Sequence, residues 1–227
     1  MSYPPPRALS RRELLQLGGV CAIGWGAAKV FQGVAPIGRD VSVVRVAGKL
    51  LLDRESPRLE NAAADLTVVV FADYQCPACK LAAPALAAAV RQDGRVRVIY
   101  KDWPIFGPMS DRAARVAVAS AHQGIYPALH TNLMQERRKL GDAVLQANVE
   151  AAGGNWRMLE QDLRTHRKAI DRRIARNGAE AFALSLEGTP AYLVGTILVV
   201  GAIDERAFSA TFAEARSARA RQPSPPG

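Results

Sequence analysis

Cys76 and Cys79 lie in the stretch FADYQCPACK, residues 71–80, and their type and spacing point to chemistry. Two thiols separated by two residues can clip a metal, staple a loop, or cycle between dithiol and disulfide. A structural zinc site takes four ligands. No second cysteine pair is present, and the histidines, His122, His130 and His166, do not follow finger spacing. A bridge closing so short a loop removes little chain entropy and stabilises weakly. A redox pair is the reading that the neighbouring residues support, with no metal and no organic cofactor required.

The elements that must position this pair are legible on either side of it. The run Leu66-Thr67-Val68-Val69-Val70-Phe71 is continuously apolar and β-branched, the pattern of a buried central strand. After Cys79, residues Leu81, Ala82, Leu86, Ala89 and Val90 follow helical spacing. Cys76 therefore falls where a strand hands over to a helix, with Pro77 suited to the first helical position. Free N–H groups and the positive end of the helix dipole gather there. That setting favours a thiolate and makes Cys76 the nucleophile. Cys79, one turn further in, is expected to be more buried and to act as the resolving thiol.

Strand, Cys-x-x-Cys and helix together resemble the thioredoxin superfamily. CPACKLAAPAL also places Pro84 five residues after Cys79, as thioredoxins do. The stretch GTPAYLVGTILVVG, residues 188–201, reads as two strands, 191–194 and 197–200, joined by Gly195-Thr196. The Thr189-Pro190 step before them resembles the superfamily's cis-proline loop. The resemblance implies that the Thr189 backbone meets an extended substrate segment beside the cysteines. VIYKDWPIFGP, 98–108, and AARVAVASAHQGIYPALHTNLM, 113–134, are similar to DsbA-family thiol oxidoreductases, in which a helical subdomain is inserted into the thioredoxin fold. The likeness spans roughly residues 60–215.

It implies an α/β protein, a thioredoxin fold with an inserted helical subdomain. It also implies dithiol–disulfide exchange with cysteine-containing protein substrates and a membrane redox partner. Strongly oxidising members usually carry Pro-His between the cysteines, whereas this chain has Pro77-Ala78. Ala78 lacks a polar group that could help the thiolate. An oxidase is the favoured direction, with a reductase or isomerase, or a non-catalytic binding module using the same groove, as alternatives.

The N-terminus reads as an address. In LSRRELLQ, Ser10, Arg11, Arg12, Leu14 and Leu15 resemble a twin-arginine export signal. The apolar stretch 14–31 contains Gln16, Lys29 and several glycines, which makes it a poor permanent transmembrane helix. Cys21 lies within it and Gly19-Val20-Cys21 is a poor lipobox, so the exported domain holds only Cys76 and Cys79. The expected location is the periplasm or the outer face of the cytoplasmic membrane, where disulfides persist.

The segments that follow are an export signal or anchor at 1–35, an N-terminal β extension at 36–60 and a thioredoxin-like domain at 61–221. That domain carries the helical insertion at about 110–185, and a disordered tail follows at 222–227. Within the extension, VSVVRV and KLLL read as edge strands; Asp142 and Asn155 read as helix N-caps. The 227 residues carry a net charge of +9, but Lys and Arg are dispersed over helical stretches among acids, and no nucleic-acid partner is expected. Asp73 either transfers protons or orients the turn. His122 and His130 read as surface or packing residues, Tyr74 and Trp103 as groove or core aromatics, and Lys80 as a thiolate partner or a solvated side chain.

Overall fold

The computed structural model describes residues 38–221; the export reading at 1–35, with Cys21, and the tail at 222–227 lie outside the described residues. The chain runs β1 (Arg39–Asp40), α1 (Arg45–Leu51), β2 (Arg58–Leu59), β3 (Leu66–Ala72), α2 (Pro77–Asp93) and β4 (Val96–Asp102). Five helices follow: α3 (Pro108–Ser120), α4 (Tyr126–Gln135), α5 (Asp142–Ala151), α6 (Trp156–Thr165) and α7 (Arg167–Ala183). The hairpin β5 (Ala191–Val194) and β6 (Ile197–Val200) and the helix α8 (Glu205–Arg221) close the fold.

The sheet order is β1-β6-β5-β3-β4-β2. β3 and β4 are parallel and every other pair is antiparallel. Thus β3, the strand that leads to the cysteines, is central, and its apolar run is buried on both faces. Its odd-numbered residues Val69 and Phe71 join Ile99, Leu193 and Leu198 in a core covered by Ala47 and Leu50 of α1 and Ala181 of α7. On the other face, Tyr192 meets Phe208 of α8 edge to face, with ring centroids 4.9 Å apart. α2 lies on that same side.

The turns agree with the residues at them. Val194 pairs with Ile197, which leaves Gly195-Thr196 as a two-residue hairpin loop. Only Gly195 of the two has a positive φ, +54°, the pattern of a type II′ turn. Gly94 ends α2 at φ +70°. Asn155 caps α6, its Oδ1 accepting from the Met158 N–H at 3.0 Å. Asp142 does not cap: it is the first residue of α5, Gly141 precedes it, and its carboxylate accepts from Arg112.

Residues 38–60, the described part of the 36–60 segment, do not form a β extension: among them only 39–40 and 58–59 pair as strands, and 45–51 is a helix. Its β-branched valines favour a strand locally, but Val44, Ala47, Leu50 and Leu51 fall on one helical face and pack into the core under β3. Tertiary burial outweighs the strand bias there. Residues 38–60 cluster in one unit with the rest of the described residues, so they are part of that domain.

Candidate active site

Cys76 sits at the N-cap of α2 with Pro77 directly after it, the strand-to-helix position read from the sequence. Its Sγ accepts a hydrogen bond from the Cys79 N–H at 3.3 Å and donates one to the Thr189 carbonyl, also at 3.3 Å. The sulfur therefore lies between a helix N-terminus and the backbone of a second loop. Both cysteines are free thiols. The peptide bond between Thr189 and Pro190 is cis. Residues 76, 77, 78, 79, 189 and 190, far apart in sequence, are thereby brought to one place.

Cys76 and Cys79 are equally buried, each 2 % exposed, so the expected contrast in exposure is absent. The Thr189 carbonyl lies against Cys76 Sγ, which a sequence reading of α2 alone does not include. Burial is the main influence on the Cys79 thiol and pushes it up to about 12, although a backbone N–H at Asp73 and the nearby Thr189 side chain favour its thiolate. The Thr189 hydroxyl makes no formed hydrogen bond among the described residues; its effect on Cys79 is one of proximity.

Asp73 is an orienting residue. Its Oδ1 accepts from the Gln75 N–H and the Ser110 hydroxyl, both at 2.7 Å. Its Oδ2 accepts from the Ile105 and Phe106 N–H groups at 2.7 and 3.1 Å. Four donors leave the carboxylate committed to holding the loop after β4 against the turn before Cys76. That loop exposes Ile105 and Phe106 beside the turn; these two apolar residues carry no periodicity and were not legible as site residues.

Lys80 does not reach Cys76; its Nζ donates to the Glu136 carbonyl at the end of α4. Trp103 packs edge to face on Phe71 as a core aromatic. His122 is exposed and stacks on His166 at 4.0 Å. Tyr74 and His130 belong to a buried polar cluster around Asp102. Tyr74 Oη donates to Asp102 Oδ1 at 2.8 Å, Tyr126 Oη donates to both carboxylate oxygens at 3.0 and 3.1 Å, and His130 Nδ1 lies 3.0 Å from Tyr74 Oη. Burial raises Asp102 to about 6 and lowers His130 to about 4. Sequence reasoning missed this cluster because its members come from the turn after β3, from β4 and from α4.

On the opposite face of β4, fully buried Lys101 pairs with Asp53 and with Glu180 of α7. Burial works to raise Asp53, but hydrogen bonds from Lys101 and Ser56 outweigh it and hold the carboxyl well below the usual range. Among the described residues no group of three or more His, Cys, Asp and Glu is placed to hold a metal ion, and no helix is long and apolar enough to cross a membrane.

A dithiol at a strand-to-helix junction, facing a cis-proline loop on a mixed sheet with a helical insertion, defines a thioredoxin-like thiol–disulfide oxidoreductase. A family model described as the DSBA-like thioredoxin domain matches residues 67–213, and the chain belongs to that family. A thioredoxin-like oxidoreductase from Silicibacter pomeroyi is similar at 34 % identity and a TM-score of 0.70, over 76 % of this chain and 98 % of that one. A periplasmic thioredoxin-like protein from Salmonella enterica serovar Typhimurium is similar at 29 % identity and a TM-score of 0.63, over 79 % and 99 %. Among curated proteins, a Na(+)/H(+) antiporter NhaA 3 from Salinispora tropica is 31 % identical over 159 residues, which is 67 % of this chain but 24 % of the antiporter. The chain spans about a quarter of the length of the curated relatives it matches.

Proposed function

We propose that the chain exchanges disulfides with exported proteins through Cys76 and Cys79, acting as an oxidase. In that direction a substrate thiolate attacks Cys76 Sγ of the Cys76–Cys79 disulfide. The S–S bond breaks, Cys79 leaves with the electron pair, and a mixed disulfide forms. A second substrate thiol, losing its proton, attacks the substrate sulfur of that bond and leaves as a disulfide, and the protein returns to the dithiol. The observation that carries this reading is the placement of Cys76 Sγ between the Cys79 N–H and the carbonyl preceding the cis proline. A negative sulfur there meets a helix N-terminus. The backbone of Thr189 offers an extended substrate segment a strand-like partner, and Ile105 and Phe106 offer it apolar contact.

The periplasmic setting is supported by the twin-arginine-like N-terminus and by the periplasmic neighbour. A membrane partner then re-oxidises the dithiol. Ala78 between the cysteines favours a second direction, because it offers the Cys76 sulfur no side-chain donor. The equilibrium reduction potential of the pair separates the two, each 30 mV being worth about 1.4 kcal/mol. A value towards about −120 mV marks a disulfide donor, and one towards about −270 mV a reductant. Absence of any reversible couple refutes both. In cells, Cys79→Ala is expected to accumulate mixed disulfides between Cys76 and its substrates, whereas Cys76→Ala is expected to accumulate none.

A further inference from the structure

Cys79 takes up or gives up a proton at each turn of the exchange, yet it is buried and its thiol is held high by that burial. It lines a cavity of about 360 Å³ bounded by α2, the β3–β4–β5 face and α4. Liquid water occupies ~30 Å³ per molecule, so the cavity has room for several; most of its lining is apolar, and the side chains of Tyr100, His130, Thr131, Gln135 and Tyr192 are what give water partners there. Tyr100, Tyr192 and His130 share this lining with Cys79.

The hydrogen bonds around His130 fix which of its nitrogens is a base. A phenol has one proton, and that of Tyr74 goes to the Asp102 carboxylate, its closest acceptor. The 3.0 Å contact between Tyr74 Oη and His130 Nδ1 then requires the proton to be on Nδ1. Nε2 keeps the lone pair, and it has no hydrogen-bond partner among the described residues. Burial holds this imidazole neutral and makes it a weak base beside so high a thiol, so it can carry the proton only transiently, while the new sulfur–sulfur bond forms.

The other titratable groups around it do not compete. Tyr100, Tyr126 and Tyr192 are raised by burial and keep their protons. Arg91, on the cavity wall, offers donors and no acceptor. The nearby charges of Asp73 and Glu136 are engaged by backbone and side-chain donors, and Lys80 donates to a carbonyl. Arg173, which favours the charged form of Asp102, helps to keep that carboxylate ionised.

We propose that His130 exchanges the Cys79 proton through water in this cavity, with Tyr74 and Asp102 as positioning residues that hold its Nε2 ready. The inference rests on the assignment of Cys76 as attacking and Cys79 as resolving thiol. When Cys79 resolves a mixed disulfide, its S–H proton passes by water to His130 Nε2, and its sulfur bonds to Cys76 Sγ. The Cys76–partner bond breaks and the partner leaves as a thiolate with the electron pair. In the oxidase direction Cys79 leaves as the thiolate and recovers a proton by the same route. Imidazolium formed at His130 faces Asp102 through the shared Tyr74 hydroxyl.

The test uses the full chain in a Cys21→Ser background, reduced and mixed with an aromatic disulfide whose thiolate product is coloured. Cys76 attack releases the first coloured thiolate in a bimolecular phase, and Cys79 attack releases the second in a unimolecular phase. His130→Gln is expected to leave the first phase unchanged and to slow the second by about tenfold or more at neutral pH. The gap is expected to close in strong alkali, where hydroxide removes the proton. Added imidazole is expected to restore the second phase in His130→Ala and to do nothing to the Cys21→Ser parent. Tyr74→Phe, which keeps the ring packing, replaces the histidine variants where these fail to fold: its second phase is expected to slow as well. An unchanged second phase, or one slowed equally at every pH without imidazole rescue, overturns the proposal. A fast first phase surviving in Cys76→Ala, or a unimolecular second phase surviving in Cys79→Ala, overturns instead the assignment on which it rests.

Discussion

At the residue scale, the site is governed by what each buried polar group is paired with. Asp73 looks like a proton carrier in the sequence and is a clamp in the structure, since four donors occupy its carboxylate. Asp73→Ala is expected to leave those donors without their acceptor and to cost about 1–3 kcal/mol of stability, read from chemical unfolding. His130 and Asp102 form a second such case, and their effects on stability oppose each other. Asp102 is held at about 6, above its unfolded value. The folded state therefore binds more protons there, and the stability this gives is lost as pH rises through about 6. His130 is held at about 4, below its unfolded value, so its contribution is lost as pH falls from ~6.5 towards about 4. Over that shared window the two slopes cancel in part. Asp102→Asn is expected to gain stability from pH 4 to 6.5 and His130→Gln to lose it, with the unsubstituted protein flatter than either. Urea midpoints across this range check it, and parallel profiles in all three would refute it.

At the element scale, β4 joins the two faces of the sheet. Successive side chains on a strand point to opposite faces. Tyr100 and Asp102 thus serve the cavity and the polar cluster, while Lys101 reaches Asp53 and α7 on the other side. Lys101→Ala leaves Asp53 buried without its main partner, and a loss of about 3–5 kcal/mol is expected. Lys101→Met together with Asp53→Leu is expected to recover most of that loss, because an apolar pair removes the buried charge as well. Thermal unfolding of the single and double variants decides it.

The same strand shows what was legible in the sequence. The apolar run of β3 gives a buried central strand, and Cys76-Pro77 gives the start of α2. Thr189-Pro190 was legible only through family resemblance, since nothing local requires the step to lie beside Cys76. Lys101 and Asp102 were not legible at all, because their partners lie 48 and 79 residues away for the lysine and 28 and 24 for the aspartate. Periodicity reports a residue's face, not the side chain that will meet it there.

At the scale of the whole molecule, the question is where the working domain begins. Reading 36–60 as a β extension sets the boundary at residue 61, but the structure spends that segment on three tasks. β1 and β2 pair with β6 and β4 at the two ends of the sheet. Val41, Ala47 and Leu50 cover the core under β3, and Asp53 neutralises Lys101. Removing 38–60 uncovers apolar side chains worth about 1.5–3 kcal/mol each for the larger ones. It also strands a buried cation, at about 3–5 kcal/mol. Together these approach the ~5–15 kcal/mol by which domains are stable at all. A fragment of residues 61–221 is therefore expected to lack a cooperative unfolding transition, while 38–221 keeps one. Calorimetry of the two settles the boundary. If the shorter fragment melts cooperatively near the longer one, the segment is an accessory and the Lys101 charge must find another partner. If it does not melt, β3 and the dithiol at its end depend on a segment that precedes the Cys-x-x-Cys pair by more than a full strand.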